Sequence, residues 1–112
     1  MRTPRLNRKL VLEAPGRVPD GAGGFAESWI ARGTVWAQVL PGAGSERAGE
    51  DVRLSRTRLK IVLRAAPHGA PSRPRPDQRY REGARLFRIL SVSENDCDAR
   101  FLVCHAEEET AS

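Results

Sequence analysis

Polar and apolar side chains alternate along much of this chain, and this period of two constrains the fold more than any other feature. No window of a dozen residues has the i, i+3, i+4, i+7 apolar stripe of an amphipathic helix. Alternation is clearest in four runs, which are residues 9–14, 57–64, 85–93 and 99–106. With Gly- and Pro-rich turns between the runs, the pattern predicts an all-β fold, namely a small antiparallel β-barrel of five to seven strands with long loops.

Breaks in the alternation predict where the strands end or bend. The first strand is expected to end at Pro15-Gly16, before a turn over residues 20–24. Gly33 lies inside the apolar run 25–40 and predicts a bulge or a sharp bend. The apolar positions change from even to odd near residues 55–58, which predicts a second bulge or a hinge there.

The length of 112 residues fits a single domain, 1–112. We expect a core over residues 6–108, a fraying tail at 109–112 and two long loops, 42–56 and 65–77. The second loop contains four prolines, which fix φ and remove backbone donors, so it is expected to be extended. Long loops in small domains are often functional.

Charge is distributed unevenly along the chain. The 19 basic residues exceed the 14 acidic ones and give a net charge of +5, but six of the acids lie in residues 94–112. Of the bases, 17 are arginine, which fits the codon bias of a GC-rich genome as well as a nucleic-acid footprint. A footprint also requires the charge to cluster on one face.

The sequence offers little for catalysis, for a metal or for a cofactor. His68 has no potential ligand nearby, and His105 has only Cys104, which would point to the opposite face of a strand. The glycines of residues 21–24 lack the lysine and the helix of a phosphate-binding loop. The acids Asp96, Asp98 and 107–109 are interpreted as solvated turn and tail residues. We therefore predict no enzyme activity, no metal and no cofactor.

Two tryptophans and two cysteines complete the candidate residues. Trp29 and Trp36 stand among aliphatic residues, so we predict core packing, with base stacking as the alternative. Cys97 and Cys104, seven positions apart on one predicted strand, would lie about 23 Å apart and could not form a disulfide. Free thiols fit a reducing compartment. The sequence has neither a membrane-spanning apolar stretch nor a signal-like N-terminus, so we expect a cytosolic chain without membrane contact.

The proline-rich loop is a candidate subunit interface. Arg and Pro suit extended interface segments, so Arg73, Pro74, Arg75 and Pro76 are predicted to grip a neighbouring subunit. A merely solvated loop is the alternative.

Taken together, the segments resemble one known family over about residues 6–108. The matching elements, in order, are LNRKLVLEAP, DGAGGF, Trp29, TVWAQVLPGAGSE, RLKIVLR, the Arg79/Gly83 turn, LFRILSV and FLVCHAEE. They resemble the head closure family of long-tailed phages, also called head-tail joining or stopper proteins, which occurs too in phage-derived gene transfer particles. The most specific feature is GG followed by Trp29, VWA, a Pro-Gly loop and Glu46. The proline-rich loop 65–77 departs from the family pattern.

The resemblance implies a structural connector subunit, made in the bacterial cytoplasm and located at the head-tail interface of a virion or phage-like particle. It implies a homo-oligomeric, hexameric ring between the portal or adaptor ring and the tail terminator or tail proteins. The ring would retain packaged double-stranded DNA and dock the tail. In the family, the loop between the second and third strands faces the channel, which implies a DNA-facing role for Arg47, Arg53 and Arg56.

A free-standing nucleic-acid-binding β-barrel of the OB or SH3-like kind is the alternative. The net charge of +5 favours it, whereas the acidic C-terminal segment and the small number of aromatic residues speak against it.

Overall fold

Six antiparallel strands form one sheet in a computed structural model that describes residues 3–42, 54–94 and 100–111. The strands are β1 (Arg8–Pro19), β2 (Phe25–Pro41), β3 (Leu54–Arg64), β4 (Arg79–Glu82), β5 (Arg85–Glu94) and β6 (Phe101–Ala111). Their order is β1-β2-β3-β6-β5-β4, and β4 pairs back with β1, which closes the sheet into a barrel. The predicted all-β class is confirmed. In these residues there is no helix that could cross a membrane.

The barrel interior is filled by the inward-facing side chains of every strand. Tyr80 and Phe87 are the largest of them, and both are fully buried. As the alternation predicts, Leu59, Ile61 and Leu63 of β3 point into this core. A smaller cluster on the outer face joins Val62, Phe101 and Val103, with Leu6 and Leu40 packed against it. The N-terminal segment therefore covers part of the outer surface.

The predicted bulge at Gly33 is confirmed. Leu12 pairs with Gly33 while the next residue, Glu13, pairs with Ala31, so Arg32 is the extra residue of β2. Gly33 has a φ of 145°, which a residue with a side chain rarely adopts.

Two expectations are wrong, one about where β1 ends and one about a bulge in β3. β1 does not end at Pro15-Gly16 but continues in register with β2 to Pro19. Beyond Glu13 no described strand pairs with the other side of β1, and a proline is tolerated at such an edge because no ladder donor is needed. The predicted bulge at 55–58 is also absent, because β3 pairs with β6 without a register shift from Leu54 to Arg64.

We expected the acids 107–109 to be tail residues, and this expectation is wrong. They belong to β6, which continues to Ala111. They lie opposite Arg58, Thr57 and Arg56 of β3. Opposite charges across a strand pair stabilise it, so the acidic end of the chain is held by the basic start of β3. Asp96, Asp98 and Cys97 lie outside the described residues.

Candidate functional site

The outer half of the β1–β2 hairpin, residues 14–31, extends beyond its neighbouring strands, and we call it the arm. β4 pairs with β1 only over Val11, Leu12 and Glu13, and β3 pairs with β2 only from Ala37 onward. Within the described chain, both long edges of the arm therefore carry unpaired backbone groups. Such edges are templates for pairing with another chain unless they are covered.

The arm also exposes large apolar side chains. Phe25 is 63% exposed, and Val18, Trp29 and Ile30 are between 40% and 46% exposed. Pro15 faces Trp29 and Pro19 faces Phe25 across the hairpin, so one face of the arm presents two proline–aromatic pairs. A concentration of exposed apolar surface on a projecting element is typical of a protein–protein contact.

The arm ends in a tight turn that keeps its shape through local hydrogen bonds. The Asp20 carboxylate accepts hydrogen bonds from the backbone N–H groups of Ala22 and Gly24, at 2.8 and 3.1 Å. These bonds lower the pKa of Asp20. Gly21 and Gly23 have φ values of 82° and 87°, the left-handed region that glycine adopts without strain. The prediction of a turn at 20–24 is confirmed.

The arm is tied to the barrel at its base by Glu13. This carboxylate, whose side chain is 9% exposed, accepts hydrogen bonds from Arg79 at 2.7 Å and from Arg81 at 2.8 Å. Burial opposes the ionised form, but the bonds from Arg81 and Arg79 outweigh it and lower the pKa of Glu13. The Arg79 guanidinium also lies 4.0 Å from the centre of the Trp29 ring. Arg79 therefore joins the barrel wall to the arm.

The prediction that both tryptophans are core residues is wrong. Trp29 is 40% exposed and Trp36 is 55% exposed. The bulge at Arg32 changes the side-chain phase of β2, and the part of the strand that holds Trp29 lies beyond the barrel. Trp36 lies on the barrel part of β2 between Val35 and Ala37, which face the core, so its own side chain faces outward. An aliphatic setting in the sequence therefore does not by itself indicate burial.

Of the three arginines implied to face a channel, only Arg56 lies in the described chain. Its Nε lies 3.0 Å from the Glu109 carboxylate. Both residues lie where residues 56–58 of β3 pair with residues 107–109 of β6, and we call this strand pair the ribbon. Arg58 faces Glu107 in the same ribbon at 3.8 Å. Arg47 and Arg53 lie outside the described residues, so their role stays a prediction.

A second ionic network lies at the barrel end where β1 and β5 begin. Arg8 donates to both oxygens of Glu82, at 2.5 and 2.6 Å, and Arg85 donates to both oxygens of Glu108 at 2.9 Å. The hydrogen bond from Arg8 lowers the pKa of Glu82, and that from Arg85 lowers the pKa of Glu108. Bidentate pairs of this kind fix strand positions as well as adding energy.

The proline-rich segment 65–77 contains no strand, as predicted, but its four candidate interface residues differ in accessibility. Pro74 is fully buried within this chain. Arg73 is half-buried and donates to the backbone oxygen of Ala66 at 2.7 Å. Arg75 and Pro76 are exposed. A contact with a neighbouring subunit is thus open to Arg75 and Pro76, whereas Pro74 holds the loop to the barrel.

The described residues contain no group of three or more His, Cys, Asp or Glu side chains that could hold a metal ion. Cys104 is buried in the core as a free thiol. Burial raises the pKa of Cys104 to about 12, so the thiol is poorly suited to nucleophilic chemistry near neutral pH. The features that stand out are surfaces for contact: the arm, the ribbon and the proline-rich loop.

The sequence and the fold of this chain are similar to those of known proteins. Residues 1–109 match the family described as phage head completion protein. The chain is also similar to one in the solved structure "Virion of native gene transfer agent (GTA) particle", with 58% identity and a TM-score of 0.81. That match covers 98% of this chain and 100% of the other. A comparison with curated proteins gave no match. Because the family match spans nearly the whole sequence, the chain belongs to the phage head completion protein family.

Proposed function

We propose that this protein is a structural connector of a phage-like particle, located at the head end of the virion. Copies of it form a ring between the portal or adaptor ring and the tail, retain the packaged DNA and provide the surface on which the tail docks. Family membership supports the role in the head, and the similarity to a chain of a gene transfer agent virion supports the location.

The observation that carries the ring proposal is the arm. A closed ring needs each subunit to present two different surfaces, one to each neighbour. The arm offers unpaired strand edges together with exposed Val18, Phe25 and Ile30. We assign these edges and side chains to the adjacent copy, because burial there removes both the free backbone groups and the apolar exposure at once.

The architecture supports a non-enzymatic role. Three of the carboxylates with lowered pKa values, Glu13, Glu82 and Glu108, are bonded to arginines that hold strands together, and the fourth, Asp20, is bonded to backbone N–H groups of its own turn. Their positions account for the shifts without a reaction, since ion-pair networks that stabilise a fold also perturb pKa values.

The alternative of a free-standing nucleic-acid-binding barrel is less favoured. On the barrel wall and the ribbon, seven arginines each have a carboxylate within 4 Å, namely Arg8, Arg56, Arg58, Arg79, Arg81, Arg85 and Arg88. Neutralised arginines attract phosphates weakly, so these charges do not form a broad basic face.

Deletion of the gene for this protein in a particle-producing host tests the proposal. We expect heads that package DNA but carry no tails and lose their DNA on purification, and we expect restoration of tailed particles by the wild-type gene supplied in trans. Tailed, DNA-filled particles in the deletion strain would refute the connector role.

A further inference from the structure

A cavity of about 320 Å³ lies between the proline-rich loop and the bulge of β2. Four of its lining residues can carry positive charge: Arg32, His68, Arg73 and Arg75. The other described residues of the lining are apolar or neutral, and none of them is a carboxylate. The cavity is therefore a basic recess.

Side chains of the described residues do not balance the charge of this recess. In contrast to the seven paired arginines, Arg32, Arg73 and Arg75 form no ion pair with any described carboxylate. The acid nearest in sequence, Asp77, bonds Arg88 at 3.3 Å and lines a different groove, on the outer face of the barrel. Uncompensated like charges around one concave site favour the binding of an anion.

The recess is held in place by bonds that do not consume its charge. Arg32 is the extra residue of the β2 bulge, and bulges of this kind redirect a side chain. The Gln78 side chain accepts a hydrogen bond from the Arg75 backbone N–H at 2.9 Å, which leaves the Arg75 guanidinium unbonded to Gln78. Buried Pro74 fixes the loop between Arg73 and Arg75. The backbone around Arg73 and Arg75 is therefore set before an anion binds, and only the arginine side chains remain to be ordered.

We propose that this recess binds a phosphate group, with Arg32 and Arg75 as the main contacts and Arg73 and His68 beside them. Guanidinium groups match phosphate oxygens with paired hydrogen bonds. Free inorganic phosphate and the phosphodiester of double-stranded DNA share this chemistry. The assignment to DNA rests on the proposed connector function, whereas phosphate binding itself depends only on the recess.

Inorganic phosphate is the first probe. Its binding is measured through the backbone amide signals of Gly69 and Ala70 in NMR spectra of the full chain. We expect saturable shifts of these signals in the wild type. In R32Q/R75Q, which leaves the Arg73–Ala66 bond intact, we expect the dissociation constant to rise at least roughly tenfold. The matched control R5Q/R17Q removes the same charge from exposed positions outside the recess and should bind as the wild type does.

Equal weakening in R32Q/R75Q and R5Q/R17Q, or an absence of saturable shifts in the wild type, would overturn the proposal. Thermal unfolding of each variant shows whether it is folded. If R32Q/R75Q is unfolded, R75Q alone serves in its place, because the described bonds of Arg75 involve its backbone.

Short duplex DNA, measured by fluorescence anisotropy between 50 and 200 mM NaCl, distinguishes the two sources. If DNA occupies the recess, the plot of the logarithm of the association constant against the logarithm of the salt concentration should become less steep in R32Q/R75Q. We expect the magnitude of its slope to decrease by about 1 to 2 in this variant and by less in R5Q/R17Q. Phosphate binding with equal slopes in both variants would contradict the DNA assignment and would keep the free-anion site. Gene deletion tests the connector role separately, so failure of one does not imply failure of the other.

Discussion

At the scale of single residues, Glu13 determines how the arm is joined to the barrel. It is a nearly buried carboxylate bonded to both Arg79 and Arg81. Glu13→Gln keeps the shape but removes the charge and leaves two guanidinium groups without their anion. We expect a loss of about 1–3 kcal/mol in the free energy of unfolding, measured by urea denaturation. Glu27→Gln, at an exposed position of the arm, is the control and should change stability by less than about 0.5 kcal/mol. Equal effects of the two variants would refute this role of Glu13.

The stability of the fold at acid pH depends on Glu13 and on two further arginine-bonded carboxylates. The pKa values of Glu13, Glu82 and Glu108 lie below the ordinary value of 4.5 in the folded protein. The unfolded chain therefore binds protons first, and the stabilisation is complete above about pH 4.5 and is lost as pH falls through the folded values. Urea midpoints at pH 7, 5, 4 and 3 should be similar at the first two and then decrease. A midpoint that stays constant down to pH 3 would contradict this account.

Tyr80 is a buried residue whose hydroxyl group contributes little to the stability of the fold. Among the described residues its hydroxyl has no hydrogen-bond partner of ordinary strength, and the group beside it is the Cys104 thiol, a weak partner. Tyr80→Phe removes an unsatisfied group and keeps the ring, so we expect stability to be unchanged or to rise by up to about 1 kcal/mol. A loss above about 1.5 kcal/mol in urea denaturation would show that the hydroxyl is satisfied in solution.

At the scale of elements, the arm is the part that should fail first in assembly. Phe25→Ser removes the most exposed aromatic side chain and leaves the core intact, so the free energy of unfolding should change by less than about 0.5 kcal/mol. We expect this variant to be missing from purified DNA-filled particles in a complementation experiment. Leu90→Ser, an exposed apolar residue outside the arm, is the control and should be incorporated. Normal incorporation of the Phe25 variant would exclude Phe25 from the subunit contact.

Element positions within the barrel could be predicted from alternation, since Leu59, Ile61 and Leu63 face the core as expected. Alternation failed where an element leaves the barrel. Pro15 and Gly16 read as a strand end, but an edge without a partner tolerates both, and the arm continues. The acids 107–109 read as a tail because their cross-strand arginines are about fifty residues away in sequence, and local patterns do not contain that pairing.

At the scale of the whole molecule, the candidate surfaces were predicted only in part. The proline-rich loop was identified by its composition, but its recess depends on Arg32 from a distant strand and could not be read from the loop alone. Trp29 was noticed as a candidate, yet its exposure and its contact with Arg79 follow from the bulge and the arm. Family resemblance, by contrast, depended on the order of many short segments and was confirmed over residues 1–109.

The central claim is that copies of this chain form a connector ring at the head end of the particle. Cryo-electron microscopy of purified particles, with this protein identified by a fused marker at its C-terminus, tests that claim most directly. We predict a single ring of marker density between the portal region and the tail, with the arms of adjacent copies in contact. Marker density elsewhere on the particle, or particles with tails but no such density, would contradict it.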